Sequence, residues 1–125
     1  MKTLIIEDNA TFRKTFRESL LKTFPSMVIE EAIDGVEAKK KVETFQPDLV
    51  FMDIRLPGEN GLELTKKIKV SHPDIHIIIL TNYNLQEYRK AAFDSGADDF
   101  VVKESLNAAV IEALVKSIFL DTNLD

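Results

Sequence analysis

Four short apolar runs in this chain each stop at a group that carries or attracts charge. Leu4-Ile5-Ile6 stops at Glu7-Asp8, Leu49-Val50-Phe51-Met52 at Asp53, Ile77-Ile78-Ile79-Leu80 at Thr81, and Phe100-Val101-Val102 at Lys103. Were the runs parallel strands of one sheet, three carboxylates, a hydroxyl and an ammonium would meet at the edge where open α/β sheets form their crevices. Clustered carboxylates repel by a few kcal/mol per close pair at an effective dielectric of about 20. A hard divalent cation relieves that repulsion, and an all-oxygen donor set points to Mg²⁺ (or Mn²⁺) over Zn²⁺. A carboxylate held beside such a cation can attack phosphorus and form an acyl phosphate. In this reading Asp53 is the phosphoacceptor. Asp8, Asp53 and the backbone carbonyl of Arg55 hold the metal, and Glu7 orients a metal-bound water. Lys103 neutralises one phosphoryl oxygen, and Thr81 donates a hydrogen bond to another.

Taken singly, each group has a plainer use. Glu7, Asp8 or Asp53 could cap a helix or turn, Thr81 could be an ordinary strand end, and Lys103 could snorkel to solvent. Four strand ends with complementary chemistry are what favour a site.

The elements between the runs have to put those ends side by side. Phe12, Phe16 and Leu20 recur at helical spacing opposite Arg13, Lys14, Arg17 and Glu18, and read as the core face of a helix ending near Phe24-Pro25-Ser26. Val28 to Ala32 reads as a more exposed strand. Asp34 and Glu37 form a capping box for a helix carrying Val36, Val42 and Phe45. Its Lys39-Lys40-Lys41 run reads as a solvated face balanced by Glu37 and Glu43. Asn60 caps a third helix with Leu62, Leu64 and Ile68 inward, Asn84 with Glu87 a fourth that closes at Ser95-Gly96, and Ser105 a fifth carrying Leu106, Val110, Ala113, Leu114 and Ser117. Strand and helix thus alternate five times. The expected fold is α/β: a five-stranded parallel sheet in the order 2-1-3-4-5 with helices on both faces, a flavodoxin-like (βα)5 arrangement.

The totals are consistent with one domain over residues 1–120, followed by a polar tail or the start of a linker at 121–125. Cysteine is absent, which excludes disulfides, thiolate metal sites and cysteine nucleophiles. The net charge of -5 argues against nucleic acid or an anionic membrane as a partner of this domain. With no membrane-spanning run, the expected location is cytoplasmic. His72 and His76 have no partner at metal-ligand spacing.

In its motifs the chain resembles a response-regulator receiver domain of two-component signalling over nearly its whole length. The matching stretches are Ile5-Ile6-Glu7-Asp8, Asp53-Ile54-Arg55-Leu56-Pro57-Gly58-Glu59-Asn60-Gly61, Ile79-Leu80-Thr81, and Gly96-Ala97-Asp98-Asp99-Phe100-Val101-Val102-Lys103. The resemblance implies that a sensor histidine kinase or phosphotransfer protein donates a phosphoryl group from phosphohistidine to Asp53. It implies a switch made of Thr81 and Phe100, in which Thr81 moves toward the phosphate and Phe100 rotates inward, and an output surface on the fourth helix, fifth strand and fifth helix. It also implies that Arg55 and Tyr83 tune hydrolysis of the acyl phosphate, and their bulk predicts a long-lived phosphoryl state. Two positions depart from the family pattern. Asn82 stands where a small residue is usual and narrows access to Asp53, and Glu104 stands where a proline usually follows the lysine.

Such a chain is not an enzyme in the ordinary sense, since it catalyses only its own phosphotransfer and autodephosphorylation. It is expected to belong to a transcriptional regulator with an output domain. The alternatives are a stand-alone receiver acting by protein contact and a phosphate-independent pseudo-receiver, and a homodimer on phosphorylation is a further expectation. A haloacid-dehalogenase-type phosphatase would need an acid two residues after Asp53, where Arg55 stands, and a dinucleotide-binding fold would need glycines where Glu7-Asp8-Asn9-Ala10 stands.

Overall fold

The computed structural model describes residues 1–123, and the side chains of residues 1–118. Five parallel strands form one sheet: β1 (Lys2–Ile6), β2 (Val28–Ala32), β3 (Leu49–Asp53), β4 (His76–Thr81) and β5 (Asp99–Val102). Their order is β2-β1-β3-β4-β5, as the alternation predicts. Five helices connect and follow them: α1 (Ala10–Thr23), α2 (Gly35–Phe45), α3 (Gly61–Ser71), α4 (Gln86–Asp94) and α5 (Ala108–Asn123).

Alternation along the strands divides the core in two. Leu4, Ile6, Val50, Met52, Ile77, Ile79 and Phe100 face Ala38 and Val42 of α2, Leu64 and Ile68 of α3, and Ala92 of α4. Ile5, Leu49, Phe51, Ile78 and Leu80 face Phe16 and Leu20 of α1 and Ile111, Val115 and Ile118 of α5. The three inner strands are therefore covered on both sides, which is why they read as unbroken apolar runs rather than alternating ones.

Several local expectations are met. Asp34 accepts from the Glu37 N–H at 2.8 Å and Asn60 from the Leu62 N–H at 2.7 Å, so both cap their helices. Gly96, at φ +103°, follows the end of α4. His72 pairs with Glu43 at 2.8 Å, and His76 lies 3.8 Å from Asp98.

Others are corrected. Val36 is not a core residue of α2 but 80% exposed; the cap at Asp34 turns Gly35, Ala38 and Val42 inward instead. Lys39 and Lys41 pair with Glu59 and Glu30 rather than with Glu37 and Glu43, because neighbouring elements lie closer to their ends than their own helix does. The N-cap of α4 is Leu85, without a side-chain hydrogen bond, and not Asn84. A 3-10 turn over Lys103–Ser105 delays α5, so its cap is Asn107, which accepts from the Val110 N–H at 2.9 Å, and not Ser105. That delay also shifts the buried face of α5 to Ile111, Val115 and Ile118. The Lys103–Glu104 peptide is trans. Of the polar tail expected at 121–125, residues 121–123 belong to α5 and residues 124 and 125 lie outside the described residues.

Candidate functional site

The strand register assembles the polar ends. Ile6 is level with Met52, which puts Glu7 beside Asp53; Asp53 is level with Leu80, one residue before Thr81; and Thr81 is level with Val102, one residue before Lys103. Each strand is pinned by its apolar residues, so the polar group after them has little freedom. The segment after β3 folds back as a two-residue antiparallel ladder, Arg55–Leu56 with Glu59–Asn60, around Gly58 at φ +75°. It ends where the Gly61 N–H donates to the Ile54 carbonyl at 2.6 Å. This ladder has no apolar signature in the sequence.

Oxygens of Glu7, Asp8 and Asp53 lie within 4.8 Å of one another. Glu7 is buried, Asp53 partly so, and Asp8 exposed at the mouth. The Lys103 ammonium makes an ion pair with Glu7 and stands 3.6 Å from Asp53 Oδ2. Glu7 also accepts the Asn9 N–H at 3.1 Å, while Arg13 donates to the Glu7 backbone carbonyl at 2.8 Å. Burial pushes the Glu7 carboxyl up, but Lys103 and the Asn9 N–H outweigh it and hold the group below its usual range. Asp53 goes the other way. Burial first and the charge of Glu7 second push it up to about 7, against a smaller opposing pull from Lys103. Without a cation, then, Glu7 keeps its charge and Asp53 tends to hold a proton. Three carboxylates sharing one close ammonium are a donor set with excess negative charge and only oxygen to offer, which fits a hard divalent cation.

Thr81 is buried at the end of β4, and its hydroxyl accepts the Tyr83 N–H at 3.1 Å. Phe100 is 3% exposed and packed into the core on the α2, α3 and α4 side, with the Arg89 guanidinium 5.6 Å from its ring centroid. Arg55, Asn82 and Tyr83 are exposed, and Arg55 lies over the Tyr83 ring at 4.4 Å. Two residues near the site have no signal in the sequence reading. Tyr88, on α4, stands edge-on to Tyr83 at 6.1 Å and, by hydrogen bonding, is the main reason the Arg55 guanidinium lies above its ordinary range. Phe12 reads as plain core, yet the Lys103 ammonium lies 4.5 Å from its ring centroid. Its place in the first turn of α1, at the carboxyl edge of the sheet, is the one clue.

Comparison with known proteins agrees with this arrangement. The sequence model of the family described as the response regulator receiver domain matches residues 3–116, so the chain belongs to that family. Oxygen regulatory protein NreC of Staphylococcus carnosus is 39% identical over 127 residues, covering all of this chain and 58% of NreC. The chain thus spans little more than half the length of that relative. Chemotaxis protein CheY of Halobacterium salinarum is 34% identical over 113 residues, 90% of this chain and 92% of CheY. The solved structure of a two-component response regulator from Clostridium difficile matches at TM-score 0.91 and 29% identity, over 98% of both chains. The fold and family define a domain of phosphorylation-dependent signalling rather than an enzyme of metabolism. Among the described residues no helix is long and apolar enough to cross a membrane.

Proposed function

We propose that the chain receives a phosphoryl group on Asp53 from a phosphohistidine of a sensor histidine kinase or phosphotransfer protein. The observation that carries this reading is the meeting of Glu7, Asp8, Asp53 and Lys103 at adjacent strand ends. An Asp53 carboxylate oxygen attacks phosphorus, the P–N bond breaks, and the imidazole leaves with the electron pair. Asp8, Asp53 and the Arg55 carbonyl would hold Mg²⁺ (or Mn²⁺), with Glu7 acting through water; the bound cation supplies charge neutralisation at the phosphoryl oxygens. Lys103 neutralises a second oxygen and Thr81 donates to a third. Thr81 leaves its Tyr83 N–H partner to do so, whereas Phe100 is already inward before phosphorylation, so its expected inward rotation is not part of this reading. The surface of α4, β5 and α5 then carries the signal.

The length of NreC beyond the matched region supports an output domain, as in a transcriptional regulator. A stand-alone receiver acting by protein contact is favoured by the near-complete match to CheY. Incubation with acetyl phosphate or the cognate kinase and Mg²⁺ tests the reading by intact mass. One phosphoryl group should add to the wild type and none to Asp53→Asn. No gain on the wild type with its kinase, or equal gain on both, rules the phosphoacceptor out.

A further inference from the structure

We propose that Phe12 positions Lys103 for phosphoryl transfer, its ring closing the side of the ammonium that the carboxylates leave open. The inference rests on the reading of Asp53 as phosphoacceptor. The Lys103 side chain is 10% exposed, so its ammonium has given up most of its water. Glu7 and Asp53 approach it from the strand ends, and Phe12 approaches from α1 with Nζ 4.5 Å from the ring centroid. The π face supplies negative potential to a desolvated cation without a formal charge. A carboxylate at this position would compete with the phosphoryl group for the ammonium. An aliphatic side chain would leave that side of the ammonium dry and without a counter-field. An aromatic ring holds the lysine in place and leaves it free to pass from Glu7 to a phosphoryl oxygen.

The ring is itself held. The Phe12 N–H donates to the capping Asn9 side chain at 3.0 Å, which fixes the first turn of α1. The Phe12 ring stacks on Phe16 at 5.6 Å and 17°, and Phe16 meets Phe51 edge-on at 4.8 Å and 86°. Phe51 lies in β3, two residues before Asp53. The strand that carries the acceptor therefore also supports the ring that meets the lysine. The Lys103 backbone opens a 3-10 turn with no side-chain cap, so contacts at the ammonium end have more to do in placing it.

The test uses Phe12→Leu, which keeps an apolar side chain but no π face, and Phe12→Tyr, which keeps the face. Each is made alone and with Lys103→Met. The first readout needs no phosphorylation: the NMR shift of the Lys103 ε-methylene protons. It should be moved upfield by the ring in the wild type and Phe12→Tyr, and return toward the free-lysine value in Phe12→Leu. The second is the rate of phosphoryl gain from phosphoramidate with Mg²⁺. Phe12→Leu should slow it roughly fivefold at unchanged Mg²⁺ affinity, Phe12→Tyr should restore it, and Phe12→Leu should add nothing once Lys103 is Met. Unchanged methylene shifts in Phe12→Leu, an unchanged rate, or equal slowing in the Lys103→Met background would each overturn the proposal. A wild type that gains no phosphoryl group overturns the reading of Asp53 and the transfer role of Phe12 together. It is distinguishable from failure of Phe12 alone, in which the wild type still reacts.

Discussion

The Lys103 ammonium rests on Glu7 and stands 3.6 Å from Asp53, so the cation nearest both acids serves the more buried one. Burial and the charge of Glu7 then raise Asp53 to about 7. In metal-free protein, raising the pH from 4 toward 7 ionises this aspartate in the unfolded chain while the native one keeps its proton. The native state binds more protons over that window, so stability falls as pH rises. Asp53→Asn removes the dependence. With EDTA present, the variant should gain little over wild type near pH 4 and up to about 4 kcal/mol, or roughly 10–20 °C in melting temperature, above pH 7. Melting curves at both pH values check this, and a gap that does not change with pH would contradict it.

Mg²⁺ should reverse the same penalty. A cation that binds only the folded site stabilises by mass action, by about 2.7 kcal/mol at a hundredfold excess over its dissociation constant. Asp8 offers the cleanest variant, because it is exposed and α1 is capped by Asn9 instead. Asp8→Asn should melt within about 2 °C of wild type in EDTA, since exposed substitutions rarely matter more. It should lose most of the rise that Mg²⁺ gives the wild type. A full rise in Asp8→Asn would remove Asp8 from the ligand set.

The parts of this molecule legible in its sequence are those where burial dictates residue type. Leu49 to Met52 and Ile77 to Leu80 could hardly be anything but strands covered on both faces, and the polar residue ending each run marks the site edge. Asp34 and Asn60 announce their helices because capping is a local interaction. Local signals failed where an irregular turn intervened. The 3-10 turn at Lys103–Ser105 moved the cap from Ser105 to Asn107 and rotated the buried face of α5. Contacts between distant side chains leave no local trace either. Phe12 fits a helical stripe equally well whether it meets only core or also Lys103, and nothing near Tyr88 points to Arg55.

Gly58, in the turn of the ladder, and Gly61, just after it, should respond very differently to alanine. A Cβ on Gly61 would lie 1.9 Å from the Asp53 carbonyl oxygen and 2.9 Å from Ile54 Cα, so the backbone just after Asp53 would have to move. Gly61→Ala should cost more than about 3 kcal/mol and disturb Mg²⁺ binding with it. Gly58 has φ +75° and open space around its Cβ position. Gly58→Ala should therefore cost only the left-handed backbone penalty, about 1–2 kcal/mol. Urea titration of the two variants measures both, and the opposite ranking would mean that the loop relaxes in a way this geometry does not allow.

Arg55, Tyr83 and Tyr88 form a small polar-aromatic cluster near Asp53, drawn from the segments after β3 and β4 and from the first turn of α4. Arg55 covers the Tyr83 ring at 4.4 Å, Tyr88 braces Tyr83 edge-on, and its hydrogen bonding is the largest influence on Arg55. The cluster ties the residue two beyond Asp53 to the residue two beyond Thr81, and on the proposed phosphorylation of Asp53 its bulk is expected to slow hydrolysis. Arg55→Ala and Tyr83→Ala should each shorten the lifetime of the phosphorylated state by about two- to fivefold, the scale of one exposed cation–π contact. Tyr88→Phe should act in the same direction but less, since the ring stays and only the hydroxyl is lost. The decay of phosphorylated protein followed by intact mass at fixed Mg²⁺ reads all three. If the three variants decay at the wild-type rate, the cluster does not shield the acyl phosphate, and its role is confined to holding these segments together.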